Sequence, residues 1–468
     1  MLGNQEIVQR FLQTNLQVHP DVVRYLREKK DPSLIDDILS RVPEGAVVVS
    51  PQYLPGWKRE KDGERFLTDP ALEVVYGHSA RENGGVELKD FMYYFRDRYT
   101  QLSSIIRQRT GAMPIEALTR STRYRQQDCT IIGMVMEVRT TANGHRIAEL
   151  EDATGMLSVL FNKDRDVFAD AEKLVPDEVV GVAGRLSGDG TMFFAETILR
   201  PDIPINHAPF TSKTPGKAVL VSDLHVGSNT FLLDEWNRFV DWLGDGDAGY
   251  LLIAGDCVDG IGIYPGQEKE LDIANIYEQY DVLGEMLKDL PSRLQIVVAP
   301  GNHDAVRGSE PQPALPERFT QHFPKNVTLV ENPCMVSLQG VHVLMYHGRS
   351  FDDLIGMIPG ATYTRPDEMM EEMLRRRHLA PAYGLRTPIM AAKQDHLVIS
   401  PIPEILHTGH IHICGMSRYR GVLGVNAGTW QGQTSFQKQM NIYPTPARAV
   451  VVDLQTLRPS VIDFLHGQ

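Results

Sequence analysis

Between residues 217 and 414 an apolar run ends five times on a side chain that water would otherwise claim. "KAVLVSDLHVGS" closes on Asp223 and His225, and "YLLIAGDCVDG" on Asp256. "LQIVVAPGNHD" closes on Asn302, His303 and Asp304, "VHVLMYHG" on His347, and "EILHTGHIHICG" on His410 and His412. A short apolar run bounded by turn residues reads as a strand buried on both faces. A carboxylate or imidazole buried at its end is costly unless a partner holds it. In an open α/β layer the C-terminal ends of strands gather at one edge. The five ends therefore bring two carboxylates, one amide and five imidazoles together, beside glycines at 227, 255, 301, 348 and 409 that permit tight turns.

Carboxylate, imidazole and amide donors without thiolate suit Mn, Fe, Zn or a similar divalent ion. Asp223, His225, Asp256, Asn302, His347, His410 and His412 are seven donors, too many for one tetrahedral site. They match two metals that share a carboxylate, an arrangement suited to in-line phosphoryl displacement.

The rest of the chain gives this cluster its setting. At 468 residues the chain needs two or three domains, and 217–468, where apolar strands alternate with helical segments, is the largest. Residues 1–43 read as a small helical module, with Asp31 as N-cap and Pro32 opening the second helix. Residues 44–87 lose periodicity and read as a tether. The span 88–203 reads as an amphipathic helix over Asp90–Arg109 followed by five strands. A short helix near Ala169–Leu174 separates the third strand from the fourth, the order of an OB-fold. Residues 204–216 are a Pro-rich linker. The expected fold class is α+β multidomain.

Net charge is −13, from 47 basic and 60 acidic residues, so any nucleic-acid surface must be local or supplied by a partner. One local excess exists: seven arginines between Arg96 and Arg125, read either as a solvated helix face or as a phosphate-contacting surface. Arg375, Arg376, Arg377 and Arg386 lie between the metal motifs, and phosphate contact, a partner interface and solvated charge all remain open for them. The four cysteines form no Cys-x-x-Cys pair, so neither a zinc ribbon nor a disulfide framework is signalled. No apolar run spans a bilayer and no leader precedes the first helix, so a cytoplasmic protein without membrane contact is expected.

The order Asp-x-His, Gly-Asp-x-x-Asp-Gly, Gly-Asn-His-Asp, His-Gly and Gly-His-x-His resembles that of the calcineurin-like metallophosphoesterases. The resemblance implies a two-layer β-sandwich flanked by helices. It places Asp223, His225 and His412 on one metal, Asn302, His347 and His410 on the other, and Asp256 between them. It makes His303 a general acid or charge stabiliser oriented by Asp304, with Asp259 and Ser222 supporting the ligands. An OB domain placed before such a domain resembles the small, accessory chains of replicative DNA polymerases. "MMEEMLRRRHLAPAYGLRTPI" followed by "ILHTGHIH" is similar to the small subunits of archaeal D-family DNA polymerases. That family implies a 3′→5′ proofreading exonuclease with two metals, favouring Mn over Mg, Fe or Zn. It also implies a heterodimer with a large catalytic subunit, with DNA as substrate. A sliding clamp, primase or helicase is a candidate partner for residues 1–43. A non-catalytic scaffold and a stand-alone phosphatase are the competing classes.

Overall fold

The computed structural model describes residues 7, 10, 11, 14, 17, 18, 20–29, 31, 33–42, 48, 49, 53–55, 71–76, 87–121, 124, 127–439 and 441–465. The chain divides into two compact units, Met1–Arg65 and Phe66–Gln468.

In the first unit, helices Pro20–Lys29 and Leu34–Arg41 bury Val22, Leu26, Ile35 and Ile38 against Ile7, Phe11, Val49 and Leu54. The second helix begins at Leu34 with Ser33 as its N-cap, two residues past the expected Asp31, whose carboxylate accepts the Ser33 backbone N–H at 3.0 Å. Pro32 lies outside the described residues. Strands β1 (Gln17–Val18) and β2 (Val48–Val49) pair in parallel, so the module extends past residue 43.

The expected tether over 44–87 is corrected at its far end too. Leu72–Tyr76 forms β3, an edge strand antiparallel to a strand far along the chain. Its run LEVVY is mostly apolar, and the distant strand it pairs with supplies its backbone partners.

In the second unit the Leu88–Arg107 helix leads into a closed five-stranded barrel. Its strands are β4 (Asp128–Thr140), β5 (Arg146–Asp152), β6 (Gly155–Phe161), β7 (Val179–Leu186) and β8 (Met192–Leu199), in the order β4-β5-β6-β8-β7. The helix Val167–Ala171 sits between β6 and β7, as the OB-fold reading requires. Inward residues alternate along β6: Leu157, Val159 and Phe161 are buried while Met156 is exposed.

The remainder forms two six-stranded sheets. One contains β9 (Lys217–Val221), β10 (Tyr250–Ala254), β11 (Gln295–Ala299), β12 (Val327–Leu329), β18 (Arg448–Asp453) and β19 (Arg458–Asp463), ordered β12-β11-β10-β9-β18-β19. The other adds β3 to β13 (Cys334–Leu338), β14 (Val341–Met345), β15 (Ile405–Thr408), β16 (Cys414–Tyr419) and β17 (Val422–Ala427), ordered β16-β17-β15-β14-β13-β3.

Period-two alternation explains why these runs are apolar throughout. Along β9, Ala218 and Leu220 face the layer shared by both sheets. Val219 and Val221 face helices Leu233–Asp245 and Ile276–Lys288. Along β14, Val343 and Met345 point inward, while Leu344 packs on the Met369, Met370 and Met373 side of helix Pro366–Arg376. Each such aliphatic side chain contributes about 1.5–3 kcal/mol when fully buried. The expected two-layer sandwich flanked by helices is present, with the barrel preceding it. Among the described residues no helix is long and apolar enough to cross a membrane.

Candidate metal centre

Strands β9, β10 and β11 run parallel in one sheet, as do β14 and β15 in the other. Their C-terminal ends deliver the predicted donors in the residues that immediately follow: Asp223 after β9, Asp256 after β10, Asn302 after β11, His347 after β14 and His410 after β15. The turns that follow are forced. Asp223, His225, Asp256, His410 and His412 all have positive φ, between 50° and 72°. Non-glycine residues visit this region rarely, and such strain persists where the surroundings over-determine it. Here they do so through backbone bonds. Asp223 N–H donates to Gly255 O and His225 N–H to Asp256 O, each at 3.0 Å, and His410 N–H donates to the Asp223 carboxylate at 3.0 Å.

Two glycines are required for a different reason. A Cβ on Gly301 would strike the Asp256 carboxylate and backbone nitrogen, and one on Gly409 would strike the Asp223 carboxylate and Ser222.

The seven donors fall into sets that can hold cations. Asp223, His225 and His412 converge, as do Asp256, His347 and His410. Asn302 Oδ1 joins the second set, 3.0 Å from His347 Nε2. His347 Nδ1 lies 2.9 Å from the Ala254 carbonyl, which accepts its proton and leaves Nε2 as a lone pair. That lone pair faces Asp256 Oδ2 at 3.2 Å and the Asn302 oxygen. His225 Nδ1 is similarly held 2.9 Å from Asp259 Oδ1, which turns Nε2 towards Asp256 Oδ2 at 3.8 Å and His412 Nε2 at 3.1 Å. Converging acceptors repel unless a proton or cation lies between them. Burial opposes the charged imidazole at both histidines, yet the surrounding carboxylates win. His347 is raised to about 10, through Asp256 and Asp223, and His225 to about 9, through Asp259, Asp256 and Asp223. Asp256, despite burial, is held well below the usual carboxylate range by His347 and His303. The donor set thus fits divalent ions, with Asp256 between the two halves.

Asp259 is the principal support. Its carboxylate holds His225 and accepts Gln431 Nε2 at 3.0 Å and Gln267 Nε2 at 2.8 Å. Its carbonyl lies 2.7 Å from His303 Nδ1. His303 is therefore oriented by Asp259, which corrects the expectation for Asp304. Asp304 turns away from the ring, taking Gly301 N–H at 2.8 Å, Cys257 N–H at 3.2 Å and the Tyr280 hydroxyl at 3.0 Å. It braces two loops and does not reach the cluster, because its two oxygens are taken up by these three donors.

A cavity of about 330 Å³ opens over the donors, and its lining includes His225, Asp256, His303, His410 and His412. Burial keeps the His303 pKa below the ordinary histidine value. The walls include Tyr264, Asp352, Tyr363 and Arg386. The sequence reading missed Asp352, whose Oδ2 lies 3.3 Å from His410 Nε2 and whose Oδ1 accepts the Tyr363 hydroxyl at 2.9 Å. The signal was its place shortly after His347 in "HGRSFDDL".

Of the arginines between the motifs, only Arg386 lines this cavity. Arg376 is buried, 2.6 Å from Glu178 and paired with Glu372, and Arg377 is buried with Nε donating to Ile399 O at 2.8 Å. Arg375 stacks over Tyr419 with 5.5 Å to the ring centre. Phosphate contact by Arg376 and Arg377 is corrected to internal pairing, since a buried guanidinium needs carboxylate or carbonyl partners. Within the earlier arginine run, Arg98 is likewise buried on Asp395 at 2.6 Å, and Arg120 pairs with Glu116 at 2.8 Å. Arg123 and Arg125 lie outside the described residues.

Comparison with known proteins agrees with this architecture. Residues 218–412 match the family model for the B chain of DNA polymerases alpha and epsilon, and residues 129–196 match an OB-fold nucleic acid binding domain. The DNA polymerase II small subunit of Halobacterium salinarum is 43% identical over 411 residues, 86% of this chain and 80% of that one. That of Methanothermobacter thermautotrophicus is 40% identical over 479 residues, 96% and 98% of the two chains. That of Thermoplasma acidophilum is 37% identical over 476 residues, 99% and 93%.

Proposed function

Because this chain belongs to the family of archaeal DNA polymerase II small subunits, we propose that its metal centre is a working 3′→5′ exonuclease that proofreads for a large polymerase subunit. The observation that carries this reading is the complete donor set. Seven donors follow strand ends around one centre, and the Nδ1 partners of His225 and His347 turn each Nε2 towards it, which supports the reading. A chain kept only as a scaffold has no use for a buried cluster of carboxylates and imidazoles that needs a cation or bound protons to hold it together.

Asp223, His225 and His412 would hold one divalent ion and Asn302, His347 and His410 the other, with Asp256 within reach of both sets; manganese is the proposed metal. Bound there, the ions supply Lewis-acid polarisation of the phosphodiester. The protein does the rest. Asp259 fixes the rings of His225 and His303 at once. His303, with Nδ1–H committed to the Asp259 carbonyl, acts in its doubly protonated form, giving the Nε2 proton to the departing 3′ oxygen. Arg386 at the cavity wall meets phosphate charge, and Tyr264 and Tyr363 bound the space for the terminal nucleotide. DNA is the proposed substrate, the large subunit the obligate partner, and a clamp, primase or helicase the partner of the N-terminal module.

The test uses purified chain, alone and with its large subunit, with Mn²⁺ and 5′-labelled mismatched primer. Stepwise loss from the 3′ end is expected, abolished in Asp256→Ala and reduced about 10²–10⁴-fold in His303→Ala. Turnover of a small phosphomonoester without any attack on DNA would show a phosphatase instead. Failure to degrade anything while stabilising the polymerase would show a scaffold.

A further inference from the structure

Beside the metal cavity lies a second depression of about 450 Å³, whose lining includes Asn229, Thr230, Lys269, Gln433, Ser435 and Lys438. Two features join it to the cavity. Thr434 lines both. Tyr264, a cavity wall, donates its hydroxyl to Glu270 Oε2 at 3.0 Å, and Glu270 borders the depression.

The chemistry of the two spaces differs. The cavity combines metal donors with tyrosines and isoleucines, whereas the depression is lined, Gly266 apart, by polar side chains. Its one carboxylate is engaged by Tyr264. Among the described residues, neither the Lys269 nor the Lys438 ammonium is paired with a carboxylate. In a chain of net charge −13, two unpaired ammonium groups flanking one groove next to a phosphoesterase centre are a local departure from the acidic average. Amides, hydroxyls and point cations without aromatic platforms suit phosphates and sugars rather than bases.

We propose that this groove carries the sugar–phosphate backbone of the single strand whose terminal nucleotide occupies the metal cavity. Lys269 and Lys438 neutralise the phosphates next to the one being cut, while hydroxyl and amide groups between them position the strand. The bases face solvent, so the track is indifferent to sequence, as excision of any mispaired nucleotide requires. This proposal rests on the reading of DNA as substrate.

The experiment compares wild-type full chain with the Lys269→Ala/Lys438→Ala double variant. It measures fluorescence anisotropy of a labelled oligodeoxythymidine across a salt series, and Mn²⁺-dependent hydrolysis of that oligonucleotide and of a thymidine dinucleotide, whose single phosphodiester is the one cut and leaves no phosphate for the groove. The variant is expected to bind the oligonucleotide about tenfold more weakly, with a salt slope shallower by about 1.4. Its KM for the oligonucleotide rises while kcat and dinucleotide hydrolysis stay as in the wild type. Oligonucleotide affinity within twofold of wild type overturns the proposal. So does a parallel loss of dinucleotide hydrolysis, which would place the lysines in the cavity, and so does a wild-type chain that binds no single strand. If the wild type binds through these lysines yet cleaves nothing, the groove stands and the hydrolytic reading falls.

Discussion

At His225 the ring proton has one good acceptor, Asp259 Oδ1 at 2.9 Å, and this single bond decides which nitrogen is left to face the centre. Orienting partners of this kind set both ring position and ligand basicity. Asp259→Ala is therefore expected to weaken Mn²⁺ binding about 10–100-fold in titration calorimetry while the fold is retained. Unchanged affinity would show that His225 is held by packing alone. At this scale the sequence was legible where chemistry recurs. The ligands announced themselves by type and spacing, and Asp259 stood inside a motif. Asp304 did not behave as adjacency to His303 suggested, because its carboxylate is drawn to the Gly301 and Cys257 N–H groups and the Tyr280 hydroxyl. The fate of Arg376 and Arg377 was hidden for another reason: their partners Glu178 and Ile399 lie far from them or on another element.

The element that matters most is the strand with its two-residue overhang. A run such as "YLLIAGD" encodes the strand through its apolar residues and the turn through Gly255, at φ 89°. Left-handed backbone at Asp223, Asp256 and His410 could not be read from these residue types, which adopt it more often than most non-glycine residues but still seldom; the network of cross-loop hydrogen bonds supports it. Gly301 is the tightest of these joints. Gly301→Ala drives a methyl group into the Asp256 carboxylate and is expected to destabilise the protein by about 1–3 kcal/mol while lowering metal affinity. Thermal melts with and without Mn²⁺ measure both effects, and a variant with wild-type metal-induced stabilisation would refute the close approach. Strand β3 was invisible for a complementary reason. Its partner β13 is supplied by a distant part of the chain, and Val74 and Val75 remain exposed on the sheet edge.

Across the whole second unit, buried ion pairs clamp the barrel and its leading helix to the sandwich. Arg376 joins Glu178, at the entry to β7, to the sandwich helix. Arg98 from the leading helix meets Asp395, which also takes His378 Nε2 at 2.8 Å. Burial would raise the Asp395 pKa, but His378 and Arg98 outweigh it and hold the carboxyl well below the usual range. A folded-state value below the unfolded one, near ~4, gives stability that is complete above pH ~4 and lost as pH falls below it. Asp395→Asn should thus cost about 3–5 kcal/mol at pH 7, because Arg98 is left buried without its counter-charge. In urea melts the gap from wild type should narrow towards pH 3; a gap constant with pH would show that the carboxylate is not ionised in the fold. The barrel was legible in the sequence from strand patterning and the sandwich through the motif resemblance, whereas these clamps were not, since they join residues hundreds of positions apart.

Divalent ions held where the strands end are what the proposed chemistry requires above all. Mn²⁺ bound per chain, counted after equilibrium dialysis for wild type and Asp256→Ala, tests this directly. Two ions on the wild type, with loss of at least one and of all DNA hydrolysis in the variant, is the predicted result. A wild-type chain that retains no ion, or a variant that binds as many as the wild type, would contradict it.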